Sequence, residues 1–263
     1  MLKRVWNGIL NQAHEKIFGV PDASRSRSRQ KGFSLIELAI VLVVVALLIG
    51  GLLVPLTMQV EQQRIRDTQK TLEEIKEALL GFAIANGRLP RPAVSAANGA
   101  ENAADCGTDA ACTGFIPWAT LGVPKLDGWG KMIRYSVTPD FARSVPFTLN
   151  STVATKTIQT RDGAGALNYL AGQAACAVAN QCMPAVVFSH GKNNWGTSDA
   201  GGAIADGSLT NADEDANNAA STNFISRTIT DNTAVTGGEF DDLVTWLSPN
   251  ILFNRMVAAG RLP

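Results

Sequence analysis

The residues from Leu38 to Val60 contain no charged side chain, and most of them are aliphatic. A helix needs about 20 apolar residues to cross the hydrocarbon core of a bilayer, so this run is long enough for a transmembrane helix. One carboxylate, Glu37, directly precedes it. Ionisable groups at membrane depth are costly and usually have a functional partner. We therefore predict a transmembrane helical segment over 33–56 and a specific role for Glu37.

The 32 residues before Phe33 are polar and basic, with seven Lys or Arg and two acidic residues. A secretory signal peptide carries its apolar region before the cleavage site, whereas here the apolar run follows the Gly32–Phe33 bond. Cleavage there would remove a basic leader, 1–32, and leave the apolar helix on the mature chain. The positive-inside rule places the N-terminus in the cytoplasm and the rest of the chain beyond the inner membrane. Hydropathy alone leaves open an uncleaved single-pass anchor with a basic tail.

The segment from Lys31 to Glu37 reads KGFSLIE, which resembles the processing site of type IV pilins and type II secretion pseudopilins. The resemblance implies that a prepilin peptidase cuts after Gly32 and methylates the new amine of Phe33. A glycine would let the peptidase approach the backbone closely. The resemblance also implies that Glu37 of one subunit neutralises the Phe33 amine of its neighbour during assembly, an attraction that is stronger at low dielectric. The alternative for Glu37 is a first-turn residue favoured by the helix dipole.

The helical pattern continues beyond the apolar run. Pro55 lies inside it and is expected to kink the helix. Residues 57–87 form an amphipathic half, in which apolar residues recur at helical spacing. Gly87 is the predicted C-terminal cap. The apolar pattern is too short to sustain a coiled coil, so we expect this half to pack on a globular head.

Residues 88–263 are numerous enough for one domain with its own core. Short β-like runs predict strands near Met132–Val137, Thr152–Ile158, Ala185–Ser189, Ile225–Thr230 and Asp242–Leu247. A C-terminal helix is predicted with Ser248 as cap, Pro249 at its first position and Gly260 just past its end. The predicted fold is α+β and pilin-like, with a long N-terminal helix packed on a small antiparallel β-sheet.

The four cysteines form two pairs with equal spacing, Cys106 with Cys112 and Cys176 with Cys182. The predicted topology puts the head in the periplasm, where disulfides persist. Three pairings are possible, and local closure within each pair is our prediction because short loops close readily. Zinc is the alternative, but the spacing is wider than zinc thiolate pairs normally have.

The charge balance and the motifs of the sequence give little support for other functions. The chain has equal numbers of basic and acidic residues, and loss of the leader leaves 16 basic against 21 acidic residues. That balance argues against electrostatic binding of nucleic acid. No nucleophile elbow and no phosphate-binding loop is present, so we expect no enzymatic activity. Four tryptophans, Trp118, Trp129, Trp195 and Trp246, are interpreted as core and loop anchors, with a binding groove as the alternative.

Several head segments are similar to the major pseudopilin of type II secretion. They are 127–135, with the turn Asp127-Gly128-Trp129-Gly130, then 187–193 and 241–246. The resemblance implies calcium, for which the candidate ligands are Ser189, Asp199, Asp241 and Asp242. Hard cations take such oxygen ligands. The acidic segment 211–217 is not an EF-hand, and a solvated loop is its alternative interpretation.

These observations predict a structural subunit of a filament. The expected partners are prepilin peptidase, other pilin or pseudopilin subunits and an inner-membrane assembly platform. The leading hypothesis is a pseudopilin of a type II secretion system. A minor pilin of a type IV pilus, serving adhesion, priming or DNA uptake, is the second hypothesis. A membrane-anchored periplasmic binding protein that does not polymerise is the third.

Overall fold

The computed structural model describes residues 32–148 and 151–262, with the side chains of 50–55 excepted. The chain divides into two compact units, Met1–Val54 and Pro55–Pro263. Apart from Gly32, the predicted leader lies outside the described residues, and so does the side chain of Pro55. The predicted kink at Pro55 and the predicted domain limits therefore stay predictions.

One long helix begins the described chain and is followed by short strands and helices. The helices are α1 (Leu35–Asn86), α2 (Trp118–Leu121), α3 (Pro139–Ala142), α4 (Ala212–Ala219) and α5 (Pro249–Ala258). The strands are β1 (Thr113–Phe115), β2 (Arg134–Val137), β3 (Thr157–Arg161), β4 (Leu167–Ala171), β5 (Ala185–Ser189), β6 (Asn223–Ile225) and β7 (Leu243–Leu247). The α+β fold class and the long N-terminal helix are confirmed.

The residues predicted to end α1, and to begin and end α5, are found at those positions. Gly87 follows α1 with a φ of 75°, and its N–H donates to the carbonyl of Ala83 at 2.8 Å. Pro249 stands at the start of α5, and Gly260 follows it with a φ of 68°. Ser248 occupies the predicted N-cap position and makes no side-chain capping hydrogen bond.

The larger sheet is antiparallel throughout, with strand order β1-β2-β5-β7. The part of α1 within the second unit packs its buried face, which includes Leu72, Ile75 and Leu79, into the same apolar core as Tyr135 and Val187 of this sheet. This is the predicted amphipathic half of the helix, and its packing explains why apolar residues recur at helical spacing. Residues 88–262, here called the head, thus share a core with the C-terminal half of α1.

A second, three-stranded sheet has the order β4-β3-β6 and was not predicted. β3 pairs with β4 in antiparallel fashion and with β6 in parallel. The predicted strand Thr152–Ile158 is wrong in position, since β3 begins at Thr157, and Ile225–Thr230 is likewise displaced, since β6 ends at Ile225. The reason is that pairing of β3 with β6, from distant parts of the sequence, decides where both strands lie.

Candidate functional site

The predicted processing site lies at the start of the described chain. Ser34 is the N-cap of α1, because its Oγ accepts the backbone N–H of Glu37 at 3.2 Å. Glu37 is therefore the third residue of the helix, and Ser34 and Glu37 occupy the two positions of a capping box. Gly32 and Phe33 precede the helix and are exposed. The Gly32–Phe33 bond is thus outside regular structure and accessible to another protein.

The space around Gly32 is open. A Cβ added at this position would meet none of the described atoms within 4 Å beyond its chain neighbours, and its φ does not lie in the region that favours glycine. The local fold therefore gives no reason for a glycine here.

The first half of α1 presents apolar side chains on every face. All residues from 32 to 49 are exposed, and among the most exposed are Leu35, Ile36 and Leu47. A helix that is apolar all round is normally buried in a protein core or in a membrane. Within its own unit, none of the described residues buries these apolar side chains.

Among the residues that the structure describes, no helix is both long enough and apolar enough to cross a membrane. The transmembrane segment predicted for 33–56 stays a prediction.

In the head, the predicted turn at Asp127 is held by its own carboxylate. Asp127 Oδ1 accepts the backbone N–H groups of Trp129 and Lys131, both at 2.9 Å, and Oδ2 accepts the hydroxyl of Ser189 at 2.6 Å. The first of these bonds is the Asx-turn geometry that favours aspartate in tight turns. Asp127 thereby joins the turn to the end of β5.

The same turn contacts α1. The N–H of Gly128 donates to Thr68 Oγ1 at 2.9 Å, and the indole N–H of Trp129 points at Glu61, 3.2 Å from Oε1. A Cβ at Gly128 would lie 2.7 Å from the carbonyl oxygen of Arg64, too close for any other residue without a shift. Glycine is therefore required here by close backbone approach.

Three buried carboxylates meet beside the end of β5. Glu214, Asp241 and Asp242, here called the acidic cluster, have ligand atoms within 4.8 Å of one another. Burial raises the pKa of Asp241 to about 7, the charges of Glu214 and Asp242 add to the rise, and the N–H of Asn193 opposes it. Asp241 Oδ1 is buried without a hydrogen-bond partner.

Asp242 lies against polar groups of α4 and of the residue that follows β5. Its Oδ2 accepts from Asn217 Nδ2 at 2.7 Å, and its Oδ1 lies 3.4 Å from His190 Nδ1, a separation without hydrogen-bond geometry. Asn217 also exchanges two hydrogen bonds with the backbone of Ile225. This polar network fastens α4 to β6 and β7.

Lys131 reaches the loop that follows β5. Its ammonium donates to the backbone carbonyls of His190 at 3.1 Å, Asn193 at 2.5 Å and Asn194 at 2.6 Å. The side chain is buried, and burial lowers the pKa of Lys131, a shift that the negative charge of Asp241 opposes. Three carbonyls match the three donors of an ammonium group.

The four predicted calcium ligands do not come together as one set. Ser189 bonds to Asp127 and to the N–H of Gly191, and Asp199 is exposed and pairs with Lys125. Asp241 and Asp242 do meet, with Glu214 as a third carboxylate. The donor set that the resemblance implied therefore does not fit the geometry, and calcium binding itself stays a prediction.

Glu214 belongs to the segment for which a solvated loop was the alternative interpretation, and that interpretation is wrong. Residues Ala212–Ala219 form α4, and Asp213, Glu214 and Asn217 are buried in it. The carboxylate of Asp213 pairs with Arg161 and Arg227. Burial of these acids depends on partners from distant segments, so local composition gave no signal for it.

Both predicted disulfides are present. Cys106 is bonded to Cys112 and Cys176 to Cys182, and no cysteine among the described residues is free. Local closure within each pair is confirmed, and the zinc alternative is excluded by the bonded sulfurs.

Comparison with known proteins connects the predicted processing site to a family motif. Residues 27–53 match the prokaryotic N-terminal methylation motif, a segment that includes Gly32, Phe33 and Glu37. The match supports a type IV pilin-like prepilin. No curated protein and no solved structure matches the chain.

For a prepilin of this kind, the motif implies processing by prepilin peptidase and assembly with other pilin subunits. The matched segment ends before the head begins, so it does not distinguish a pseudopilin from a minor pilin.

Sequence reasoning missed Lys131. Its only local signal is a lysine directly after the Asp127–Gly130 turn, at the entry to a buried strand. A lysine at such a position is unusual enough to prompt a search for its partners.

Proposed function

We propose that this chain is a structural subunit of a pilin-like filament, cut after Gly32, methylated at Phe33 and assembled through α1. The observation that carries the proposal is the methylation motif leading directly into a helix whose apolar side chains are exposed on every face. Such a surface is stable only against lipid or other apolar helices. The role is structural rather than catalytic.

The environment of Gly32 supports recognition by another protein. A side chain here would meet open space, so the fold of the chain itself does not require a glycine, and we infer that recognition by another protein does. A peptidase that must bring its catalytic groups close to the backbone supplies that requirement.

Glu37 would pair with the new amine of a neighbouring Phe33. In the monomer the exposed helix start gives Glu37 a capping-box position, but a cap needs no particular partner subunit. An isolated carboxylate and an isolated amine are both costly in an apolar setting, and pairing removes both costs. The pairing therefore favours assembly over a lone subunit in the membrane.

The proposed location is the inner membrane, with the basic N-terminus in the cytoplasm and the head in the periplasm. The two disulfides support an oxidising compartment for the head. Prepilin peptidase and an inner-membrane assembly platform would act on the chain in turn.

We propose a type II secretion pseudopilus as the apparatus. The support is the resemblance of the 127–135 and 241–246 segments to the major pseudopilin, strengthened by the way the Asp127 turn joins β5 and contacts α1. A minor pilin of a type IV pilus is the second candidate. The long segment between β5 and β7, which contains α4 and β6, favours it because long connecting segments commonly carry specific contacts.

Glu37→Gln tests polymerisation, with Glu77→Gln as a matched control on an exposed position of the same helix. We expect crosslinked self-oligomers in membranes to fall by about tenfold or more for Glu37→Gln, since a charge pair at low dielectric is lost. Glu77→Gln should crosslink like the parent. Unchanged crosslinking in Glu37→Gln would contradict assembly through Glu37, and a parent chain that forms no crosslinked self-oligomers would favour the non-polymerising binding protein instead.

A deletion strain separates the two filament candidates. Loss of secreted proteins with normal surface filaments would support the pseudopilin, and loss of surface filaments with normal secretion would support the minor pilin. Complementation with the Glu77→Gln chain should restore the lost phenotype, and complementation with Glu37→Gln should not.

A further inference from the structure

The ammonium of Lys131 lies in a buried environment that suits a cation. The side chain is only 5% exposed, and its ammonium lies against three backbone carbonyls of one loop. Carbonyl oxygens converging on one point are the kind of ligand that hard cations use. Here the positive charge belongs to the chain itself.

The loop around the ammonium adopts a backbone that needs support. Asn194 and Trp195 have φ angles of 37° and 34°, in the left-handed region that few residues other than glycine adopt. Gly191 has a φ of 55°, and a Cβ there would collide with the side chain of Asp241. Consecutive strained residues persist only when their surroundings hold them in place.

The charges near this loop are mostly negative. Asp241, Asp127, Asp242 and Glu214 all act electrostatically on Lys131. Without a positive charge among them, these carboxylates would repel one another at short range. A cation at this point would therefore stabilise both the carboxylates and the carbonyls.

We propose that the ammonium of Lys131 takes the place of a bound metal cation in the 190–196 loop, so that this head is ordered without Ca²⁺. The calcium site that the family resemblance implied does not fit, because Ser189 and Asp199 are engaged elsewhere and the loop carbonyls that a cation would use are already bonded to Lys131. The stability of the chain is then independent of Ca²⁺. Removal of the lysine charge converts the loop into a site that responds to a divalent cation.

The test compares thermal unfolding of the full chain in detergent micelles, in excess Ca²⁺ and in EDTA, for the parent and for Lys131→Met. We expect the parent to melt at the same temperature in both solutions. In EDTA, Lys131→Met should melt lower by about 10 °C, because one partner of a buried charged network is removed. Ca²⁺ should restore part of that loss.

Lys125→Met is the matched control, since Lys125 pairs with the exposed Asp199 and lies outside the loop. It should melt close to the parent in both solutions. A parent chain whose melting temperature falls in EDTA would overturn the proposal, and this arm requires no variant to fold. An equal loss in both solutions for Lys131→Met would also overturn it, because the lysine would then be an ordinary hydrogen-bond donor rather than a substitute for a cation.

Discussion

Two leucines of the same helix show how differently the two parts of this chain are stabilised. Leu47 is 71% exposed in the apolar first half of α1, whereas Leu79 in the amphipathic half is fully buried in the head core. The head satisfies its apolar and most of its polar groups within the chain. The first half of α1 satisfies its hydrogen bonds but leaves its apolar side chains to be covered by other molecules. One half is thus stabilised by the fold of the chain, and the other exposes the surface through which we propose that subunits assemble.

The largest effect on the head should come from its buried ion network. Asp213 is 1% exposed and pairs with Arg161 at 2.6 Å and with Arg227 at 2.7 Å. Asp213→Asn leaves two guanidinium groups without their counter-charge, so we expect the free energy of unfolding to fall by about 3–5 kcal/mol. Chemical denaturation of the full chain in detergent measures this.

The control for Asp213→Asn is Asp231→Asn at an exposed position, which should change stability by no more than about 0.5 kcal/mol. Equal stability of the two variants would contradict a head that depends on its own buried polar contacts.

A matched pair of substitutions in α1 separates folding from assembly. Leu79→Ala should lower the free energy of unfolding by about 2–5 kcal/mol, because it opens a cavity in the core. Leu42→Ala, at a position that is 61% exposed, should leave head unfolding unchanged and weaken crosslinking between subunits. A loss of head stability in Leu42→Ala would break the distinction between the two halves.

The first disulfide makes a smaller contribution to the head. Cys106 and Cys112 are both buried in the main core, and the bond closes a short loop. Replacement of both cysteines by serine should lower the unfolding free energy by about 2 kcal/mol, as expected for a loop of this length. The comparison is made on the variant and the oxidised parent by chemical denaturation, and an unchanged midpoint would contradict it.

The acidic cluster differs from the rest of the head because it contains an unpaired buried carboxylate oxygen, and it should make stability depend on pH. Asp241 has a pKa of about 7 in the folded chain, against about 3.9 when unfolded. Between these values the folded state keeps a proton that the unfolded state has lost. Stability should therefore fall as pH rises from about 4 to about 7, with a slope of at most about 1.4 kcal/mol per pH unit.

Asp241→Asn removes this titration, so the difference in stability between the parent and the variant should change steadily over that range. Denaturation midpoints at several pH values measure it. A difference that does not vary with pH would mean that Asp241 ionises at its ordinary value.

Sequence patterns predicted those parts of the fold that depend on local periodicity. β5 was predicted with its observed limits, β7 and β2 within two residues, and α1 at nearly its full length. The three-stranded sheet was not predicted, and the limits of β3 and β6 were displaced, because these two strands pair across many intervening residues. α4 was missed because its acidic composition is typical of a loop, and only burial against distant groups makes it a helix.

The candidate functional residues likewise divide into those that a local sequence pattern predicts and those that only the structure reveals. Gly32, Phe33 and Glu37 form a motif within a few consecutive residues, and the family comparison supports it. The contact of Lys131 with the carbonyls of His190 and Asn193 joins residues about 60 positions apart. No local pattern encodes such a contact, so it emerged only with the structure.

The decisive measurement is the mass of the N-terminal peptide of the chain isolated from membranes of its host. Processing as a prepilin predicts a chain that begins at Phe33 and carries one methyl group on its amine, with Gly32→Leu abolishing the cut. Gly81→Leu is the control, since Gly81 also has open space around it, and it should be processed normally. A chain that retains residues 1–32, or that is cut elsewhere, would contradict the proposed function.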